Sequence, residues 1–391
     1  MPTNTAYGDV PLASGIRSRL VQNNNGLNMH ILEAGHGQDN RPCLLLLHGF
    51  PELAYSWRKV MPALAAAGYH VIAPDQRGFG RTTGWDSNYD GDVGAFGLLN
   101  LVRDIVGLLS AIGREYVDAV IGHDSGSAVA GCCALIRPDL FRSVVMMSAP
   151  FTGPPSFPFA SADATATDAT QQPDIHAELA ALEVPRKHYQ WYYSTRPAND
   201  DMCQCEQGVH DFMRAYYHHK SADWRSNKPF ALKAWNAAEL AKMPTYYIMR
   251  REQDMAQTVA SEMPSADEVA SCRWLPDEEL RIYSNEYTRN GYQGGLQWYR
   301  CMTGGLNAAQ LRLFSGRTID VPSCFIAGKS DWGVYQKPGS MEAMERDACT
   351  AMRGIHLVDG AGHWVQQEQA EEVGRLLLDF LKKSANSVTR T

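Results

Sequence analysis

Asp124 stands in Gly122-His123-Asp124-Ser125-Gly126, where the apolar run Tyr116-Val-Asp-Ala-Val-Ile121 meets the small residues Ser127-Ala-Val-Ala130. Glycines two positions either side of an aspartate suit a sharp strand-to-helix turn that lifts the middle side chain clear of the backbone. A serine at that apex would suggest ester or amide cleavage. A carboxylate attacks saturated carbon instead, in an epoxide or an alkyl halide, and becomes an ester on the enzyme. Ser125 lies one residue past the apex and points elsewhere, so it is not the expected nucleophile.

An ester formed in this way needs a base that activates water. His363, in Gly360-Ala-Gly-His-Trp-Val-Gln-Gln-Glu368, follows the last apolar run in a glycine-bearing loop and can do that work. Asp331, in Gly328-Lys-Ser-Asp-Trp-Gly333, follows the preceding run and is placed to accept the imidazole N–H and hold the tautomer. The backbone N–H groups of Phe50, in His48-Gly-Phe-Pro51, and of Ser125 are expected to converge on the oxyanion that forms as water attacks. Opening an epoxide also leaves an alkoxide that needs a proton. A phenol can supply it, and Tyr189 and Tyr299 are the candidates. From residue type alone both read more readily as packing, because tyrosine is a common packing residue in helical segments.

These groups must be carried by something, and the chain has the rhythm of a mainly parallel sheet. Residues 16–35 read as a hairpin turning at Asn23-Asn24-Asn25-Gly26, followed by buried strands at 43–47, 69–74, 116–121 and 143–148. Residues 97–112 have helical spacing. The stretch 152–175 is rich in Pro, Ser, Ala, Thr and Asp and reads as an exposed loop or linker. From about 176 to 304 the chain is aromatic and helical, without strand alternation. Strands return at 321–327 and 355–358, and an amphipathic helix ends the pattern near 367–382. The expected division is a core of 1–151, a loop and helical cap of 152–304, and a second core segment of 305–391.

Length and composition fit this reading: 391 residues, 45% hydrophobic, 20% charged, net charge −7. An acidic chain is a poor partner for nucleic acid or an anionic membrane. No basic and apolar leader is visible at the start, and no run reaches the roughly 18 apolar residues of a membrane span. The nine cysteines read as reduced thiols of a cytoplasmic protein. Cys203 and Cys205 lack partners at zinc spacing, and no metal, nucleotide or flavin motif is present, so no cofactor is expected. A homodimer is compatible with the sequence but not legible in it.

Taken together these residues resemble the epoxide hydrolases of the α/β-hydrolase superfamily, in particular the hydrolase domain of soluble epoxide hydrolases. The likeness runs from about 16 to 382 and is densest in His48-Gly-Phe-Pro-Glu52, Tyr55-Ser-Trp57 and Pro62-Ala-Leu-Ala-Ala-Ala-Gly68. It implies the α/β-hydrolase fold, a mainly parallel sheet flanked by helices with an inserted helical cap. It also implies that Tyr189-Gln190 and Trp298-Tyr299-Arg300 carry two epoxide-binding tyrosines. By the same likeness His48, Pro51, Gln190 and Trp298 border the substrate, a small epoxide that water opens to a vicinal diol. Three departures are visible: Ser125 where many relatives have an aromatic residue, Thr82 where serine is commoner, and longer segments at 152–175 and 200–290. A haloalkane or haloacid dehalogenase would use the same Asp-His-Asp logic, but Ser125 stands where haloalkane dehalogenases usually place a halide-binding tryptophan. A cyclase that uses a substrate hydroxyl, an idle binding protein and an ester hydrolase are the other readings. The last lacks a serine at 124.

Overall fold

The computed structural model describes residues 6–23, 25–37, 40–157 and 174–388. Its centre is an eight-stranded sheet of β1 (Ile16–Gln22), β2 (Asn28–Ala34), β3 (Cys43–Leu47), β4 (His70–Pro74), β5 (Ala119–His123), β6 (Val144–Met147), β7 (Ser323–Gly328) and β8 (Met352–Val358). Their spatial order is β1-β2-β4-β3-β5-β6-β7-β8. β2 runs antiparallel to both of its neighbours, and β3 through β8 are mutually parallel. The inner strands are buried on both faces, which is why Cys43-Leu-Leu-Leu-Leu47 carries no polar alternation. Register aligns the ends of the central strands: His123 pairs with Met147, and Met147 pairs with Ile326. Loops leaving these ends therefore emerge side by side.

α1 (Leu98–Ala111) and α2 (Ser125–Ile136) flank the sheet. α2 begins directly at the turn after β5 and needs small residues to do so. A Cβ at Gly122 would lie 2.0 Å from the Gly126 carbonyl oxygen, and one at Gly126 would lie 2.4 Å from the carbonyl oxygens of Leu47 and His48. The closing helix, α7 (Ala370–Val388), buries Val373, Leu377, Phe380 and Leu381 on one stripe. Strand 116–121 of the sequence reading is observed at 119–123, with Val117 joined only by an isolated bridge to Phe141. Of the proposed loop at 152–175, residues 158–173 lie outside the described residues. Among the described residues no helix is long and apolar enough to cross a membrane.

Between β6 and β7 the chain is mostly helical, including α3 (Tyr189–Tyr193), α4 (Gly208–Lys220), α5 (Asp277–Asn290) and α6 (Gln293–Thr303). One feature departs from the helical reading. Arg186–His188 and Ile248–Arg250 form an antiparallel pair. Strands of three residues are too short to show an alternating pattern, and their partners lie far apart in sequence. The pair matters because Tyr189 follows it at once. The Tyr189 amide donates to the Tyr247 carbonyl at 2.9 Å, and the His188 ring accepts the Gln190 amide at 3.3 Å to start α3.

α6 is seated on the sheet's loops by backbone contact. A Cβ at Gly294 would lie 2.1 Å from the Gly78 carbonyl oxygen, and one at Gly295 would lie 2.6 Å from the Phe50 ring. Gly78 has φ +91°. Its loop is anchored by the buried Asp75 carboxylate, which accepts Tyr7 O–H at 2.7 Å, Ala54 N–H at 2.8 Å and Arg81 N–H at 3.0 Å. Burial raises that carboxyl, but the charge and hydrogen bond of His30 overcome it and hold it at about 2. Thr82 closes the loop by donating to the Asp75 carbonyl at 2.5 Å and accepting the His30 amide at 3.0 Å. The hydroxyl is what the position uses, so threonine serves there as serine would. Gly294→Ala is expected to cost about 1–3 kcal/mol through overpacking. A lowered urea midpoint with an unchanged m-value checks it; an unchanged midpoint would show that α6 can lift off Gly78 freely.

Candidate active site

Asp124 sits at the end of β5 with φ 53° and ψ −122°. Among the described residues, it and Ser148 at φ 69° are the non-glycine positions with positive φ. Such a backbone is costly and is held only where the surroundings over-determine it. Here they do: a Cβ at Gly49 would lie 2.3 Å from the Asp124 Cβ. The same close approach brings the Phe50 N–H to Asp124 Oδ1 at 3.1 Å. Ser125 opens α2, so its N–H is among the first-turn donors that have no acceptor within the helix.

On the other side, His363 Nε2 faces Asp124 Oδ2 at 3.4 Å, and its Nδ1 lies 3.2 Å from Asp331 Oδ1. Asp331 also accepts the Gly333 amide at 2.7 Å. Ser148 Oγ lies 2.5 Å from Asp331 Oδ2 and 2.9 Å from His363 Nδ1. Burial works against ionised carboxylates at both positions. For Asp124 the adjacent His363 imidazole, with the charges of Lys220 and His123, outweighs burial and holds the group well below the ordinary range. Asp331 is lowered too, against burial, by the charge and hydrogen bond of His363 and by the Ser148 and Gly333 donors.

A cavity of about 220 Å³ opens over Asp124. Ser125, Tyr189, Gln190, Trp298 and Tyr299 line it, with Phe96, Leu98, Leu101 and Met302 supplying apolar wall. The rings of Tyr189 and Tyr299 meet edge to face at 6.0 Å. Gln190 Nε2 donates to the Tyr189 hydroxyl at 3.2 Å. Burial pushes both phenols well above their ordinary value; Asp124 adds to this at each, and at Tyr299 the neighbouring Tyr189 contributes more. Both therefore keep their protons at neutral pH. Trp298 donates its indole N–H to the Arg77 carbonyl at 3.0 Å, which fixes the face of α6 that carries Tyr299.

His48 and Pro51, expected beside the substrate, are not part of this lining. The His48 ring is fully buried, accepts the Gln76 amide at 3.1 Å through Nε2 and packs edge-on against Phe79 at 4.9 Å. Pro51 turns its carbonyl to the Tyr217 hydroxyl at 3.0 Å. The turn after β3 thus presents the Phe50 amide to the site, while the His48 ring braces the neighbouring loop and the Pro51 carbonyl ties the turn to Tyr217.

A family described as alpha/beta hydrolase fold matches residues 42–370. Epoxide hydrolase A of Mycobacterium tuberculosis is 33% identical over 366 residues, covering 93% of this chain and 96% of that protein. Epoxide hydrolase B of the same organism is 31% identical over 371 residues, covering 92% and 97%. The chain belongs to the α/β-hydrolase family, among the epoxide hydrolases. Solved structures agree. Epoxide hydrolase I of potato, Solanum tuberosum, superposes with a TM-score of 0.71 at 29% identity, covering 94% of this chain and 99% of that one. An epoxide hydrolase from an endophytic Streptomyces gives 0.73 at 28% identity, covering 96% and 97%.

Within this epoxide hydrolase relative, several residues at the site escaped the sequence reading. His123 and Glu52 form a buried pair at 2.6 Å beneath Asp124. Glu52 also accepts the Gly49 amide at 3.0 Å, and His123 Nε2 bonds the His363 carbonyl at 2.7 Å. Glu368 binds three backbone amides around His363: Ala222 at 2.8 Å, Gly362 at 2.9 Å and Trp364 at 2.9 Å. The signals were present, since Glu52 ends the His-Gly-Phe-Pro-Glu run and His123 precedes Asp124. Their pairing is visible only in three dimensions. Burial opposes the charged form of each partner, but their mutual attraction lowers Glu52 and raises His123. The raised His123 contributes stability that is complete below the unfolded histidine value and lost as pH rises through its folded value. The lowered Glu52 contributes above the unfolded glutamate value and loses that as pH falls. Glu52→Gln is therefore expected to cost about 3–5 kcal/mol near about pH 5 to 6, and less toward high pH as His123 gives up its proton. Urea midpoints of both proteins across that range test it; a difference that does not change with pH would contradict the ion pair.

Proposed function

We propose that this epoxide hydrolase opens a small epoxide to a vicinal diol through a covalent ester on Asp124. The observation that carries the reading is the placement of one imidazole between two carboxylates, with two protonated phenols sharing a cavity with one of them, Asp124. In the first step Asp124 attacks a ring carbon and the carbon–oxygen bond breaks. Tyr189 and Tyr299 hold the departing oxygen, and one of them gives it a proton. In the second step His363, oriented by Asp331, takes a proton from water, and the hydroxide attacks the ester carbonyl. The N–H groups of Phe50 and Ser125 receive the resulting oxyanion. Collapse expels the second diol oxygen, which takes the proton of the attacking hydroxyl as the carboxylate is restored, and the proton held by His363 returns to the tyrosinate. Gln190 and Trp298 border the substrate, residues 152–304 form the cap, and the site of action is the cytoplasm. No cofactor takes part.

Intact mass tests the reading. His363→Gln, incubated with pooled epoxides and alkyl halides, is expected to gain the mass of a whole epoxide, mapped to Asp124. An adduct short of the hydrogen halide would make the protein a dehalogenase. A folded protein that gains nothing would sink the ester mechanism. For the phenols, Tyr189→Phe and Tyr299→Phe are each expected to leave residual turnover, while the double variant loses about 10²–10⁴-fold. Equal and total loss in both single variants would show that they are not a redundant pair.

A further inference from the structure

Four neighbouring parallel strands each deliver one residue to the same spot. Asp124 directly follows β5, Ser148 directly follows β6, and the loops after β7 and β8 bring Asp331 and His363. Three of these have roles in the reaction proposed above. Ser148 has none, although it is almost fully buried and touches two of the others.

Its contacts constrain the protons. Ser148 has a single O–H, and an ionised carboxylate accepts only. The 2.5 Å contact to Asp331 Oδ2 has the length of a charge-assisted O–H···O⁻ bond, so the serine proton lies there. The Ser148 oxygen then has only lone pairs for His363 Nδ1 at 2.9 Å, and the proton between them belongs to the imidazole. This contact is shorter than the 3.2 Å from the same nitrogen to Asp331 Oδ1. Nδ1–H is thus shared between carboxylate and serine, and Nε2 is left bare toward Asp124.

The backbone shows the same commitment. At φ 69° a glycine would be at ease and a serine is strained. The opposite loop leaves space for the hydroxyl, since a Cβ at Gly333 would lie 2.8 Å from Ser148 Oγ. The Ser148 amide is tied to the Ile326 carbonyl at 3.1 Å, which holds the residue against β7.

We propose that Ser148 is a positioning residue for ester hydrolysis, holding His363 in the tautomer and orientation that activate water, and that it leaves ring opening untouched. The proposal rests on the Asp124 ester mechanism. Ring opening uses Asp124 and the phenols; only the second step uses His363, so the two rates separate the claim from general damage to the site.

Ser148→Gly is the first test, because glycine suits the positive φ and removes only the hydroxyl. The epoxide is one that labels His363→Gln, and ester on Asp124 is followed by quenched-flow intact mass. Ester formation is expected to stay within about threefold of the parent, while its hydrolysis slows about 10- to 100-fold, the scale of a misplaced catalytic group. Ester then accumulates at steady state, so kcat and KM fall together and kcat/KM holds. Ser148→Ala, which also removes the hydroxyl while leaving Asp331 and Gly333 in place, is expected to give the same pattern, and serves if Ser148→Gly fails to fold. An ester that clears from Ser148→Gly at the parent rate overturns the proposal alone. Equal slowing of both steps also overturns it, by making Ser148 merely structural. If no ester ever forms, on His363→Gln or on the parent, the mechanism beneath fails and this proposal falls with it.

Discussion

The arrangement depends on three backbones that approach more closely than side chains allow. Gly49, Gly122 and Gly126 surround Asp124, and a Cβ on any of them would overlap a neighbour at 2.0 to 2.4 Å. Without side chains there, the loop after β3, the end of β5 and the start of α2 share one small volume. That closeness holds Asp124 in an unfavourable backbone conformation, and it also brings the Phe50 amide within hydrogen-bonding distance of the carboxylate. The strained conformation and the donor are thus two results of one steric fact. Everything above, from the phenols on α3 and α6 to the imidazole after β8, is arranged around that fixed point.

The second theme is charge without water. Asp124, Asp331 and Glu52 are all lowered despite burial that favours their neutral forms, and in each case a histidine is the main counterweight. The two imidazoles are coupled: His123, paired with Glu52, binds the carbonyl of His363. His363 is thereby carried on backbone that a second ion pair holds in place. Lys220 adds a cation whose ammonium lies 5.3 to 5.8 Å from the rings of Tyr216, Tyr246, Tyr247 and Trp364. Its charge also acts on Asp124. In a low-dielectric interior such fixed charges act strongly and need little rearrangement during a reaction.

Much of this was legible in the sequence. Strands buried on both faces appear as unbroken apolar runs, so β3 through β7 were readable, and the β1–β2 hairpin announced itself by its asparagine-glycine turn. Asp124, Asp331 and His363 were readable because each follows a strand in a recognisable frame and they come in a fixed order. Tyr189 and Tyr299 came from family resemblance, since a tyrosine in a helix looks like packing until its neighbours are known. Ser148, Glu52 and His123 were not assigned roles. Each owes its position to a partner remote in the chain, and no local pattern encodes that pairing. His48 and Pro51 were placed at the substrate by the likeness alone, and the turn that aims the Phe50 amide inward leaves both outside the cavity lining.

The strand order has a consequence for synthesis. A chain emerges from the ribosome amino end first, and domains tend to fold as they appear. Asp124 and the loop after β3 are made early, whereas β8 and His363 come almost last. On the mechanism proposed above, a fragment folded without them would own a nucleophile but no means of freeing it. Such a fragment could react with an electrophile once and remain alkylated, a spent reagent rather than a catalyst. Because the base arrives on the edge strand that completes the sheet, the capacity to turn over and the completeness of the chain become the same condition.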